Sequence, residues 1–265
     1  MFGTVCRDLF VALQQRRFVA PLLLLASLAV PMGVAGAASP VPGVIGSDDR
    51  VRQPRDAGWP WSAIGRVNRE AGGFCTGTLV APDKVLTAAH CLWNRRTGRL
   101  MRPQSLHFAA GWWRGEALAH ARAAAVATAP GLAFGRDGRP TDLAADWAVL
   151  TLERPLEGLR PVPLAADPPA AAGDAATALA RAGYGRDRPN VLSRQDGCHR
   201  LGTAAGGAVL LHDCDATFGD SGSPILLEGP DGYALLAVHV AMTEAAGHPA
   251  GAAVIAGPEV AAAIR

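Results

Sequence analysis

Three short segments, far apart in the chain, place the strongest constraint on its fold. One is Gly219-Asp220-Ser221-Gly222-Ser223-Pro224, a serine framed by glycines between two apolar stretches. Gly219 and Gly222 allow a tight turn and a close approach to the main chain. The N–H groups of Gly219 and Ser221 can then converge as an oxyanion hole. A serine hydroxyl is a weak nucleophile at neutral pH, so this role demands an imidazole base and a carboxylate to orient it. Thr87-Ala88-Ala89-His90-Cys91 supplies the imidazole, and Asp146-Trp147-Ala148-Val149-Leu150 supplies the carboxylate. Asp142 competes for the second role, but the apolar strand directly after Asp146 favours Asp146. A Gly-x-Ser-Gly alone is usually only a turn. Three matching segments mean that the fold must bring residues 90, 146 and 221 to one point.

Periodicity suits a fold of short strands. Trp61, Ala63, Gly65 and Val67 alternate on one face, and strands are expected over 61–67, 74–80, 85–87 and 106–110. His90 should follow on a single helical turn closed by Cys91. Residues 117–128 are alanine-rich and suit a helix on propensity. Their Gly and Pro boundaries, among hairpins, predict a strand instead. Residues 95–103 and 131–141 read as surface loops, 147–152 as a strand, and 155–163 as the crossover between two halves. Further strands are expected over 176–184, 208–212, 223–227, 233–240 and 252–255. Pro258, then Glu259 and an apolar run to Ile264, predict a short C-terminal helix. With 31 glycines and 20 prolines to turn the chain, the architecture is all-β.

Residues 1–37 read as a signal peptide, with Arg16 and Arg17 before an apolar run over 18–30 and small residues at 35–38. That run is shorter than the ~20 residues of a spanning helix. The expected location is therefore secreted or periplasmic, with no stable membrane association once the leader is removed. Of 25 basic and 23 acidic residues, Arg7, Arg16, Arg17 and Asp8 fall in the leader, which leaves 22 of each sign. This balance gives no reason to expect a nucleic acid as partner. Losing Cys6 with the leader leaves Cys75, Cys91, Cys198 and Cys214, an even set that suggests two disulfides in an exported chain. Four cysteines permit three pairings and the sequence does not choose among them; the local pairs Cys75–Cys91 and Cys198–Cys214 are the expectation. No Cys-x-x-Cys spacing supports a metal site, and no cofactor is expected.

With the order His90, Asp146, Ser221 in hand, the chain resembles the trypsin-like, chymotrypsin-fold serine peptidases. Within them it is most similar to the bacterial glutamyl endopeptidase branch. The segments around His90 and Ser221 are specific to the superfamily, and the Gly-Ser-Pro ending leans to that branch. Val44-Ile45-Gly46-Ser47-Asp48-Asp49-Arg50 is similar to the mature amino terminus of such enzymes. Val238-His239-Val240 sits where the branch carries a pocket histidine. The resemblance implies two six-stranded antiparallel β-barrels, at 44–158 and 159–265, after a signal peptide at 1–37 and a short propeptide at 38–43. It also implies a monomeric endopeptidase acting on polypeptides. Two departures stand out. Asp220 replaces the branch's amide residue before the serine, and Ala216 replaces its pocket threonine, with Thr217 one step along.

These residues imply roles. Ser221 is the nucleophile, His90 the general base and then acid, and Asp146 the orienting carboxylate. Val44, once freed, is expected to pair with Asp220 or to reach the pocket. Asp215, Ala216, Thr217 and His239 are expected to line that pocket. A protonated His239 would draw in an acidic substrate residue. Asp215 would instead favour Arg or Lys if its carboxylate faced the pocket. A catalytically inactive binding module of the same fold is the reading from a different class.

Overall fold

The structure is a computed structural model that describes residues 41–166, 178–229 and 231–265. The signal-peptide reading over 1–37, the start of the propeptide reading, and the start of the strand expected over 176–184 lie outside the described residues. In chain order the strands are β1 (Val51–Arg52), β2 (Ile64–Arg69), β3 (Phe74–Ala81), β4 (Lys84–Thr87), β5 (Trp93–Asn94), β6 (Arg99–Leu100), β7 (Leu106–Ala110), β8 (Ala119–Thr128) and β9 (Ala148–Leu152). They continue as β10 (Leu179–Gly183), β11 (Ser193–Cys198), β12 (Arg200–Ala204), β13 (Val209–His212), β14 (Pro224–Gly229), β15 (Gly232–Ala245) and β16 (His248–Ile255), followed by the helix α1 (Pro258–Ile264).

The first half closes as a six-stranded antiparallel barrel in the order β2-β3-β4-β9-β8-β7. Inside it Ile64, Val67, Leu79, Leu86, Phe108 and Leu150 are fully buried, each contributing about 2 kcal/mol of hydrophobic stabilisation. The alanine-rich stretch is strand β8 despite its helix propensity. It pairs on one side with β7 and on the other with β9, and without it the barrel would be open. Cross-strand pairing outweighs a preference of a few tenths of a kcal/mol per residue.

The second half also closes on itself. Its order is β11-β10-β14-β15-β16-β13-β12, with β1 added at the outer edge of β11. Strands β11 and β12 are one bent strand interrupted at His199, so the pairing returns to where it began and makes a second six-stranded barrel. The disulfide Cys198–Cys214 sits at that bend. Strands β11 and β12 were not anticipated from the sequence. Their residues show little alternation, and Arg194 pairs with Asp196 at 2.8 Å on a solvated face. Only the neighbours β1, β10 and β13 make a strand of them. Similarly, the polar loop over 95–103 contains β6, which pairs with β5 through Trp93↔Leu100. The hairpin β15–β16 also runs beyond the expected end at residue 240. Helix α1 starts with Pro258, carries Glu259 in its first turn and buries Val260.

Candidate active site

Strands β4 and β9 pair in the register Thr87↔Ala148. His90 stands three residues past that pair, in a 3-10 turn over Ala89–Leu92, and Asp146 stands two residues before it. Register alone therefore delivers both to the same end of the barrel. The Asp146 carboxylate is buried and holds His90 twice: Oδ1 accepts the backbone N–H at 2.8 Å and Oδ2 meets ring Nδ1 at 2.7 Å. This grip keeps the proton on Nδ1 and leaves Nε2 as a lone-pair base. Asp142 is exposed and caps the next turn by accepting Ala144 N–H at 2.9 Å, which removes it as the rival carboxylate.

Cys75 and Cys91 form a disulfide. The Cys91 sulfur lies 3.8 Å from His90 Nε2 and 3.9 Å from the Ser221 carbonyl, between the imidazole and the serine loop. Thr76, next to Cys75 on β3 and buried, fastens that loop. Its N–H donates to the Ser221 carbonyl at 2.9 Å and its hydroxyl donates to the Gly219 carbonyl at 3.2 Å. Thr76 drew no notice in the sequence, because a threonine within an apolar strand carries no signature of its own.

Both glycines of the loop are required. Gly219 has φ +101° and Gly222 has φ +86°. A Cβ on Gly222 would sit 2.0 Å from the Thr76 carbonyl oxygen. The trans peptide plane then fixes two N–H groups, since each points opposite to the preceding carbonyl. The Phe218 carbonyl accepts Arg186 N–H at 2.6 Å, and the Asp220 carbonyl accepts Ser223 N–H at 2.9 Å. With those oxygens committed, the N–H groups of Gly219 and Ser221 face away from them. Neither finds a protein acceptor among the described residues.

Asp220 has a buried partner that no local pattern in the sequence announces. Its carboxylate is buried 2.8 Å from the guanidinium of Arg181, which is itself fully buried, and it also accepts Thr217 N–H at 2.8 Å. A buried carboxylate needs a cation, and here Arg181, a side chain within β10, supplies one. The amino-terminal segment docks elsewhere. Gly43 carbonyl accepts Ala216 N–H at 2.9 Å, while Asp215 accepts Ile45 N–H at 2.7 Å and Asp49 N–H at 3.3 Å. Asp215 is wholly buried in this role, and burial raises its pKa despite the hydrogen bonds. Thr217 is committed too, its hydroxyl donating to Asp187 at 3.0 Å and lying 3.2 Å from Asp220.

His239 belongs to a buried pair. His212 Nδ1 accepts Cys214 N–H at 3.1 Å, so a neutral His212 carries its proton on Nε2 and donates it to His239 Nδ1 at 3.2 Å. His239 then carries its own proton on Nε2 and presents it as a donor. Burial, the neighbouring imidazole, Arg181 and His90 hold His239 well below the ordinary histidine pKa. Burial and Arg181 push His212 down to about 3. His239 is therefore a neutral N–H donor in the resting protein, not the cation anticipated. Its partner His212 escaped the sequence reading, because nothing local to β13 distinguishes a buried pair from a solitary strand histidine. Of the other histidines, His107 and His199 pair with the surface carboxylates Glu70 and Asp213.

Two antiparallel barrels and a short terminal helix, with a histidine–aspartate pair beside a glycine-framed serine, define the class of chymotrypsin-fold serine peptidases. The family model of the trypsin-like peptidase domain matches residues 75–232, and the chain belongs to that family. Over 55 residues it is 40% identical to the glutamyl endopeptidase of Bacillus licheniformis, a stretch covering 21% of this chain and 17% of that protein's length. A solved structure of a Glu endopeptidase in complex with MPD superposes with a TM-score of 0.66 at 21% identity, covering 83% of this chain and 97% of the other.

Proposed function

We propose that the protein is an exported serine endopeptidase that cleaves polypeptides after acidic residues, Glu before Asp, through Ser221, His90 and Asp146. The observation that carries the reading is the double hold of Asp146 on His90, set against the Ser221 loop across the Cys75–Cys91 bridge. In the first half-reaction Ser221 Oγ adds to the scissile carbonyl while His90 Nε2 takes the hydroxyl proton. The N–H groups of Gly219 and Ser221 donate to the oxyanion, and Asp146 stabilises the imidazolium. As the C–N bond breaks, His90 Nε2 returns the proton to the leaving amine, and an ester to Ser221 remains. Water, deprotonated by the same nitrogen, then releases the acid.

Two features support an acidic preference. The Asp215 carboxylate is already occupied by the amides of Ile45 and Asp49, so its oxygens are engaged by the amino-terminal segment instead of by an incoming Arg or Lys. His239 offers Nε2–H, and a substrate carboxylate bound there would gain a hydrogen bond that strengthens as the imidazole takes up a proton. Export is consistent with two disulfides.

The test has two parts. Wild type should be labelled at Ser221 by an organophosphonate and Ser221→Ala should lose peptide hydrolysis by several orders of magnitude; absent labelling would favour the inactive binding module. Peptides differing only in Glu, Arg or Phe at the cleaved position should show a Glu preference that His239→Ala removes. An Arg preference that Asp215→Ala removes would move the enzyme to tryptic specificity.

A further inference from the structure

Arg50 lies on the amino-terminal segment with a fully buried side chain, yet it touches neither His90, Asp146 nor Ser221. Its guanidinium meets Asp48 through Nε at 2.9 Å and Nη2 at 2.9 Å, and Asp187 through Nη2 at 2.8 Å and Nη1 at 3.3 Å. Arg188 adds a second cation, bonding Asp48 and, at 2.7 Å, the Arg50 carbonyl. Burial would raise the Asp187 pKa, but the hydrogen bond and charge of Arg50, with the Thr217 hydroxyl, bring it below the ordinary value.

What makes this cluster more than a surface ion network is where Asp187 leads. Its Oδ1 accepts the Thr217 hydroxyl at 3.0 Å, and Thr217 N–H donates to Asp220. Its neighbour Arg186 donates the N–H that holds the Phe218 carbonyl at 2.6 Å. That bond is the one turning Gly219 N–H toward the oxyanion position. Gly185 leaves the meeting point open: a Cβ there would lie 2.4 Å from Asp187 Oδ1, 2.4 Å from Thr217 Oγ1 and 3.2 Å from Asp220 Oδ2.

We infer that Arg50 is a positioning residue for the oxyanion hole, acting through Asp187 on loop 185–188 and Thr217. It acts by its side-chain cation, while Asp220 has Arg181 as its own partner. The inference rests on the serine-peptidase reading for its kinetic consequence, though its structural consequence stands without it. If loop 185–188 is released, the Phe218–Gly219 peptide loses its anchor and is free to rotate. A misdirected donor weakens the transition state and leaves ground-state binding nearly untouched.

The test compares Arg50→Gln, Asp187→Asn and the double variant with Arg55→Gln, which removes an exposed arginine paired with Glu116. Both single variants should lower kcat roughly 30- to 100-fold, a fraction of what losing one oxyanion donor costs, with KM changed less than about threefold. Affinity for a peptide boronic acid should fall in parallel. Arg50→Lys should recover part of the loss. The double variant should be no worse than the weaker single, since both act along one path. In a Ser221→Ala background, amide exchange at Arg186, whose N–H is bonded to the Phe218 carbonyl, and at Thr217, whose N–H is bonded to Asp220, should accelerate at least tenfold in Arg50→Gln and remain unchanged in Arg55→Gln. Unaltered exchange, or a kcat loss matched by a drop in the fraction of folded protein, would overturn the inference. Because exchange needs no turnover, an inactive wild type would defeat the peptidase reading and leave this one still decided.

Discussion

Gly251→Ala is the perturbation that the structure constrains most sharply. Gly251 lies on β16 opposite His212, in the pair His212↔Gly251, and its backbone is not left-handed. Alanine therefore brings no backbone strain. Its methyl would, however, sit 2.1 Å from His212 Cε1, 2.5 Å from Nε2 and 2.7 Å from Nδ1. The ring is fully buried and held at both nitrogens, so it cannot yield like an exposed side chain. Overpacking of this kind costs about 1–3 kcal/mol, and leaving His239 Nδ1 and Cys214 N–H unpaired adds about 1–3 kcal/mol. A total near 3 kcal/mol corresponds to a fall in Tm of about 9 °C for a chain of this size. Scanning calorimetry at pH 7.5 measures it, and a Glu-peptide assay at 25 °C should show a loss of Glu-over-Phe preference from misplacing His239. A Tm within 2 °C of wild type, with specificity intact, would mean that the histidine pair is not the rigid unit described.

Other expectations bear on charge and covalent ties. The unfolded chain protonates His212 and His239 near pH 6.5 whereas burial keeps the folded forms neutral, His212 down to about 3. Folded pKa values below the unfolded ones mean stability that is complete above about pH 6.5 and lost as pH falls. Two such groups predict a loss of several kcal/mol between pH 7.5 and pH 4.5 in urea unfolding; a flat profile would contradict the neutral pair. Arg181→Met strands the buried Asp220 carboxylate and should cost about 3–5 kcal/mol, with Asp220→Asn in the same chain restoring part of the stability; equal stability of the single variant would refute the pairing. Replacing Cys198 and Cys214 by serine opens a loop with a sequence separation of 16 and should cost about 3 kcal/mol by chain entropy, read as a lower urea midpoint. An unchanged midpoint would show that the bend at His199 is held by its strands alone.

Several parts of the site were legible in the sequence because they depend on short-range chemistry. A glycine-framed serine, a histidine beside a cysteine and an aspartate opening an apolar strand are each local patterns. The choice of Asp146 over Asp142 also came from a local cue, the strand that follows. The roles of Asp215 and Asp220 were not legible, since each depends on a partner well over a hundred residues away or on another strand: Ile45 for one, Arg181 for the other. The charge of His239 likewise depends on its burial in the second barrel and on His212, 27 residues away.

The division has a physical basis. The sequence by itself determined the strand-rich architecture, the terminal helix and the order of His90, Asp146 and Ser221, because hydrophobic period, turn residues and glycine placement act within a few residues. Only the tertiary structure decided that β11 and β12 are one bent strand, that the alanine-rich stretch completes a barrel, and which cation meets each buried carboxylate. Closure of a barrel and desolvation of a charge are properties of what surrounds a residue. In this chain those surroundings come from distant segments: Thr76 beneath the serine loop, Arg181 beside Asp220, and residues 43–50 against residues 215–217 and loop 185–188.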